Sequence, residues 1–231
     1  RQVGRFNVRA GRFYVPFGLN LQTDTHGTIL QLSNEQNFGF ERDWYAGLWG
    51  SANENINYDA YYLAGSGYYP KWEGQKGLAA LRLSLANRLS SDYGLEGGIS
   101  GLTGERLPQD LIPLATRRAG MDGRWRRSVP TGLFTGTAEL SGGRDDFGIF
   151  TQLYQAEYLL ASRRWGLASQ YRRFWTDRHG FDASILGELT WYFRNDVGNS
   201  NLHWIKVNVE RKLHVATRRD VIVALQYYRY W

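Results

Sequence analysis

Hydrophobic and polar residues alternate along most of this chain with a period of two, and the clearest example is the segment 182–193. One side of that segment, taken as an extended chain, carries Ala183, Ile185, Leu189, Trp191 and Phe193. The other side carries Asp182, Ser184, Glu188 and Thr190. Residues 202–213 repeat the pattern. A period of two predicts β-strands whose two faces meet different surroundings.

The alternation recurs in segments of about ten to thirteen residues, the length that a tilted strand needs to cross a membrane. The predicted strands are 5–16, 42–52, 55–65, 77–88, 93–103, 117–127, 132–141, 147–159, 164–175, 181–193, 202–213 and 219–231. Short connections (53–54, 89–92, 128–131, 160–163 and the longer 194–201) alternate with the long polar ones at 17–41, 66–76 and 104–116. The outer connections after residue 140 are tight, at 142–146, 176–180 and 216–218. Short and long connections alternate in this way in outer-membrane barrels, whose periplasmic turns are short.

We therefore predict an all-β chain, a transmembrane antiparallel up-and-down β-barrel of about twelve strands, forming one domain over residues 1–231. The count rises if N-terminal strands are missing from this sequence. A soluble β-sandwich or lipocalin-like barrel also alternates, but its strands are shorter and its outward faces are polar. Outward Trp, Leu and Val recur in every segment here and favour the membrane barrel.

Composition narrows the function classes. No apolar run approaches the roughly 18 residues of a membrane-spanning helix, and the mean hydropathy of -0.48 suits strands with one polar face. The chain has no Cys, which fits an oxidising periplasm. Its net charge of +6 comes from scattered Lys and Arg with interleaved Asp and Glu, so nucleic acid is not an expected partner.

Aromatic residues point to the two membrane interfaces and to the C-terminal strand. Alternating Val221, Val223, Leu225 and Tyr227 lead to a terminal aromatic, which resembles the C-terminal signature that the barrel assembly machinery recognises. The predicted membrane-interface aromatics are Trp44, Trp125, Trp165, Trp191, Tyr227 and Trp231. These features place the chain in the Gram-negative cell outer membrane, with outer-membrane lipid and lipopolysaccharide as partners.

Assigning the apolar face outward gives the residues expected to line a pore. They are Arg5, Arg9, Arg82, Arg88, Arg118, Arg124, Arg126, Lys206, Lys212, Asp43 and Glu188. Arg and Lys ladders favour anions in a narrow lumen. The alternative is that these groups pair with inward carboxylates and fill a closed barrel.

One segment carries a family resemblance. The run from Val8 to Leu19, VRAGRFYVPFGL, is similar to the G-x-[FY]-x-x-P-F-G strand-to-loop motif of the phosphate-selective porin O/P family. The following FERDWYAGLWG and the strand after Asn57 resemble its next elements, so the likeness covers roughly residues 1–70. It implies a solute channel of about sixteen strands. The family's phosphate-binding positions have no counterparts that can be matched here.

We expect a porin-type channel for passive diffusion of small polar or anionic solutes, either alone or as a homo-oligomer or complex. A structural sleeve that encloses or anchors a partner protein of an electron-transfer or export complex is the first alternative. A lipid hydrolase is the second alternative. His203 has no Ser at matching spacing, and His26, His179 and His214 lie in predicted loops, so we predict no enzyme, no catalytic residues, no metal site and no cofactor. The connection 17–41 either folds inward as a constriction or packs against a neighbouring barrel.

Overall fold

The computed structural model describes residues 5–19, 42–67, 76–86, 93–107, 112–196, 201–213 and 221–229. Its strands are β1 Asn7–Tyr14, β2 Arg42–Asn53, β3 Ile56–Leu63, β4 Leu78–Leu85, β5 Tyr93–Arg106, β6 Leu114–Val129, β7 Gly132–Arg144, β8 Gly148–Leu160, β9 Trp165–Thr176, β10 Gly180–Asp196, β11 Asn201–Lys212 and β12 Val221–Arg229. No helix in these residues is long and apolar enough to cross a membrane.

The twelve strands form one sheet in which neighbours in sequence are neighbours in space. Every ladder is antiparallel, and the registers found within the described residues join consecutive strands only. The prediction of an all-β, antiparallel, up-and-down chain of twelve strands is confirmed. The β5–β6 hairpin is longer than expected, because its ladder runs up to the pair of Arg106 and Leu114 and leaves a shorter connection than 104–116.

The sheet has one buried face and one apolar exposed face, as the period of two predicts. On β2, Asp43 and Tyr45 are buried, whereas Trp44 and Leu48 on the opposite face are exposed. The exposed face of the other strands carries the apolar residues Leu81, Ile99, Met121, Leu167, Ile185, Val207, Val209 and Leu225. An exposed apolar face behind a polar buried face is the arrangement of a sheet whose outer side meets lipid.

A cluster of buried apolar residues lies on the inner face toward the ends of β1 to β5. It consists of Val15, Phe17, Tyr45, Tyr61, Leu63, Leu78, Ala80 and Leu102. The Tyr45 and Tyr61 rings are 4.4 Å apart between centroids. This cluster holds the chain segment that follows β1 against the inner wall.

Candidate functional site: the barrel interior

The chain turns into the interior directly after β1. The backbone nitrogen of Gly18 donates to Oγ of Ser100 at 3.2 Å, and that of Leu19 donates to Oε2 of Glu139 at 3.4 Å. Val15 and Phe17 are fully buried. Because Ser100 lies on β5 and Glu139 on β7, residues 15–19 cross the inner face of the sheet. We call residues 15–19 the inward segment.

Two glycines make room for the inward segment. Gly18 has a φ of 67°, and a Cβ there would lie 2.5 Å from Oε1 of Glu139. On the same wall, Gly120 of β6 is the cross-strand partner of Ser100, and a Cβ at Gly120 would lie 2.9 Å from the ring of Phe17. Side chains at either position would push the segment away from the wall. Of the two arrangements expected for the connection 17–41, its first residues adopt the inward one, and 20–41 lie outside the described residues.

Beneath the inward segment, a buried ion pair joins β4 to β6 across β5. The guanidinium of Arg82 binds both carboxylate oxygens of Asp122, with Nη2 at 2.8 Å from Oδ1. Its Nη1 also donates to Oγ of Ser100 at 3.0 Å. Ser100 therefore accepts hydrogen bonds from both the inward segment and the Arg82–Asp122 pair.

A second charged group lies where β5, β6 and the β7–β8 turn meet. Oδ2 of Asp145 lies 2.8 Å from Nη2 of Arg106 and 3.0 Å from Nη2 of Arg118. The side chains of Arg118 and Asp145 are fully buried. Two guanidinium groups share one carboxylate here, so the group carries a net positive charge.

The far side of the interior, on β9 to β11, is also lined by paired polar groups. Arg172 binds Oε1 of Glu210 at 2.6 Å and donates to Oγ of Ser184. Lys206 lies 2.9 Å from Oε1 of Glu188. Glu188 also accepts hydrogen bonds from the side chains of Thr190 and Asn208. Each of these two cations is therefore offset by a neighbouring carboxylate.

The predicted pore residues occupy several environments. Arg82, Arg118, Lys206 and Glu188 are buried on the inner face in ion pairs. Arg124 lies on the same face, 3.6 Å from Glu96, with Arg126 two positions further along β6. Arg9 faces the interior beside the ring of Trp49, at 4.8 Å. Arg5 precedes β1 and Lys212 ends β11, and both are exposed, while Arg88 lies outside the described residues.

Asp43 differs from the other predicted pore residues, because backbone groups occupy its carboxylate. Oδ2 accepts a hydrogen bond from the nitrogen of Gly65 at 2.5 Å, and Oδ1 accepts from that of Gly67 at 2.9 Å. Oδ1 also accepts from the nitrogen of Trp44 at 2.8 Å. Asp43 is fully buried and fixes the chain after β3 to the start of β2.

The predicted interface aromatics that the structure describes lie on the outer face. Trp44, Trp125, Trp165, Trp191 and Tyr227 are all exposed, and Trp231 lies outside the described residues. Trp165 and Trp191 stack across β9 and β10 with centroids 5.8 Å apart. Their depth in the membrane stays a prediction.

His203 lies on the outer face, where its ring packs between Phe193 and Tyr227 at 4.6 and 5.2 Å. His179 follows β9, and its backbone nitrogen donates to Thr176. His26 and His214 lie outside the described residues. Within those residues, no three His, Cys, Asp or Glu side chains form a group suited to a metal ion.

The interior contains residues whose roles the sequence alone did not reveal. Ser100, Gly18 and Gly120 hold the inward segment, and Asp145 joins Arg106 to Arg118. The Pro-Phe-Gly sequence at 16–18 was the available signal for the segment, because it ends β1 and supplies a glycine for the turn. Nothing in the sequence indicated which strands it would reach.

Comparison with solved structures identifies a similar fold. OmpTΔL8, a loop L8 deletion mutant of the Vibrio cholerae outer-membrane protein OmpT, matches with a TM-score of 0.62 and 10% sequence identity. The match covers 97% of this chain and 75% of that one. The chain has the fold of an outer-membrane β-barrel. No family model and no curated protein matches the sequence.

The structural match confirms the predicted fold and the cell outer membrane as the location, and it corrects two other predictions. The comparisons do not support the resemblance to the phosphate-selective porin O/P family; they support an outer-membrane β-barrel only. The prediction that the chain is not an enzyme is withdrawn. The match to OmpT shows the fold of an outer-membrane barrel, and this fold does not exclude catalysis. A fold shared at 10% identity does not determine activity.

Proposed function

We propose that this barrel is a narrow channel through which small polar solutes diffuse passively across the outer membrane, and that the inward segment is its constriction. The observation that supports the proposal is the pair of hydrogen bonds that hold Gly18 and Leu19 to β5 and β7. A segment fixed across the inner face narrows the path through the barrel. Charged and hydroxyl groups around it offer hydrogen bonds to a passing solute.

The electrostatics of the interior support a weak charge preference. Within the described residues, Arg82, Arg172 and Lys206 each face a carboxylate, whereas the Arg106–Asp145–Arg118 group combines two cations with one anion. Paired charges cancel much of each other's field on a passing ion. We therefore propose small polar solutes in general, with a slight preference for anions at the Arg106–Asp145–Arg118 group.

One observation favours the sleeve as a second candidate function. Arg82, Gln170, Glu188, Lys206 and Asn208 are almost inaccessible on the inner face. Side chains that fill a barrel leave little path for solutes. A filled barrel would be a structural element of an outer-membrane complex, and its permeability would be close to zero.

The proposal is tested by solute flux into liposomes that contain the folded barrel. Gly18→Val places a β-branched side chain at a positive φ and against Glu139, so it should displace the inward segment. We expect wild-type barrels to pass a pentose but exclude a disaccharide, and Gly18→Val to pass both.

Gly187→Val is the matched control, because a Cβ at Gly187 meets nothing within 4 Å. We expect it to retain wild-type flux. No pentose flux through folded wild-type barrels would contradict the channel and favour the sleeve. Equal size limits for wild type and Gly18→Val would show that the inward segment is not the constriction.

A further inference from the structure

Two arginines lie side by side on the outer face, away from the proposed channel. Arg117 on β6 and Arg144 on β7 are direct cross-strand partners, and both are exposed. The neighbouring Asp145 points inward and pairs with Arg106 and Arg118. Within the described residues, no ion pair involves Arg117 or Arg144, although Asp146 is exposed in the same turn.

Like charges directly opposite each other on adjacent strands destabilise a sheet. The cost is removed when an anion binds between them. Arginine suits this role for a phosphate, because its planar guanidinium donates two parallel hydrogen bonds to phosphate oxygens. We therefore expect an anion that is not part of the described residues to bind between Arg117 and Arg144.

An apolar groove adjoins the arginine pair. The next outward-facing residues along β6 and β7 are Ala119 and Gly142, which are cross-strand partners, and Gly101 lies beside Ala119 on β5. These small residues form the floor of a groove of about 540 Å³. Leu81 and Phe150 occupy the same row on either side of the floor. Arg117 is part of the groove's lining.

The position of the pair identifies the leaflet it faces. Arg117 and Arg144 lie near the strand ends joined by the β5–β6 and β7–β8 connections, and the long connection after β1 leaves the sheet at the same end. In outer-membrane barrels the longer connections are extracellular. The pair and its groove therefore face the outer leaflet, where a negatively charged headgroup lies directly above acyl chains.

We propose that Arg117 and Arg144 form a binding site for the phosphate headgroup of an outer-leaflet lipid, with one acyl chain in the adjoining groove. Charge complementarity selects the headgroup, and the small residues at 101, 119 and 142 give the chain a depression to fill. The proposal does not depend on whether the barrel conducts solutes.

The test is native mass spectrometry of the detergent-folded barrel, titrated with bis-phosphorylated lipid A. An interfacial arginine contributes enough attraction to an anionic lipid for about a fivefold change in affinity, so Arg117→Gln and Arg144→Gln together should weaken binding roughly 30-fold. Arg127→Gln is the matched control, since Arg127 is exposed on the same face of β6 near its opposite end. It should leave binding within about twofold of wild type.

A second pair of variants tests the groove. Gly101→Leu fills it without a close contact, because the nearest atom to a Cβ there is 4.0 Å away. Gly187→Leu adds the same side chain elsewhere on the outer face. We expect the first to weaken lipid A binding severalfold and the second to leave it unchanged.

Three results would overturn the proposal. One is wild-type affinity for lipid A in the Arg117→Gln/Arg144→Gln variant. Another is a loss of lipid A affinity in Arg127→Gln that equals the loss in the double variant. The third is displacement of lipid A by an equal concentration of inorganic phosphate, which would indicate a site for free phosphate. Heat-modifiable migration on a gel confirms that each variant is folded before titration.

Discussion

The hydroxyl oxygen of Ser100 accepts a hydrogen bond from the backbone nitrogen of Gly18, 82 residues away in sequence, at 3.2 Å. The same oxygen accepts from Nη1 of Arg82 at 3.0 Å. Ser100 thus links the inward segment to the buried pair of Arg82 and Asp122. A change at this one hydroxyl should affect both the width of the interior and the stability of the barrel.

Replacing Ser100 with Ala should loosen the inward segment. The backbone N–H of Gly18 loses its acceptor, and a buried donor without a partner costs about 1–3 kcal/mol. We expect faster disaccharide flux into liposomes and a lower urea midpoint of unfolding. Ser184→Ala is the control, because Ser184 bonds Arg172 on another part of the wall. Unchanged disaccharide flux in Ser100→Ala would show that Ser100 does not hold the constriction in place.

Breaking the Arg82–Asp122 pair should destabilise the barrel strongly. Both side chains are buried, so Arg82→Gln leaves the carboxylate of Asp122 without its cation, at a cost of about 3 kcal/mol or more. Arg82→Gln/Asp122→Asn removes both charges and should recover a large part of that loss. Urea unfolding of the barrel in lipid vesicles measures the double-mutant cycle. Additive effects of the two substitutions would contradict a direct interaction.

Asp43 should contribute to stability through the chain that follows β3. Asp43→Ala removes the carboxylate that accepts hydrogen bonds from the N–H groups of Trp44, Gly65 and Gly67, and should lower the free energy of unfolding by about 3 kcal/mol. Asp43→Asn keeps one acceptor oxygen and should fall between the alanine variant and wild type. If Ala and Asn have equal effects, the carboxylate does not act through these hydrogen bonds.

The stacked Trp165 and Trp191 should be energetically coupled. Aromatic pairs at this separation contribute about 0.5–1.5 kcal/mol beyond the area that they bury. A double-mutant cycle with Trp165→Leu and Trp191→Leu should show that coupling in vesicle unfolding. Trp125 with Trp191 provides a comparison pair on β6 and β10, which are not neighbours in the sheet, and we expect no coupling between them.

The fold could be predicted from sequence because alternation reports burial directly. Arg118, Arg124 and Arg126 share a face at even positions of β6, and that face is the inner one. The pairing of charges could not be predicted in the same way. Arg82 reaches Asp122 across an intervening strand, and this contact depends on two registers that no local pattern specifies.

The path of the inward segment could not be predicted from the sequence either. Pro16 and Gly18 indicate that β1 ends and the chain turns, but both an inward and an outward course satisfy them. The direction is decided by Ser100, Gly120 and Glu139, which lie on three later strands. Only the folded sheet brings these residues to the end of β1.

Single-channel recording tests the central proposal most directly. Purified, folded wild-type barrels in planar bilayers should give small, stable conductance steps, with a reversal potential in a salt gradient that shows only a slight preference for anions. Gly18→Val should give larger steps, and Gly187→Val should match wild type. No conductance from a folded, heat-modifiable barrel would contradict the channel and leave the filled sleeve as the function that the interior supports.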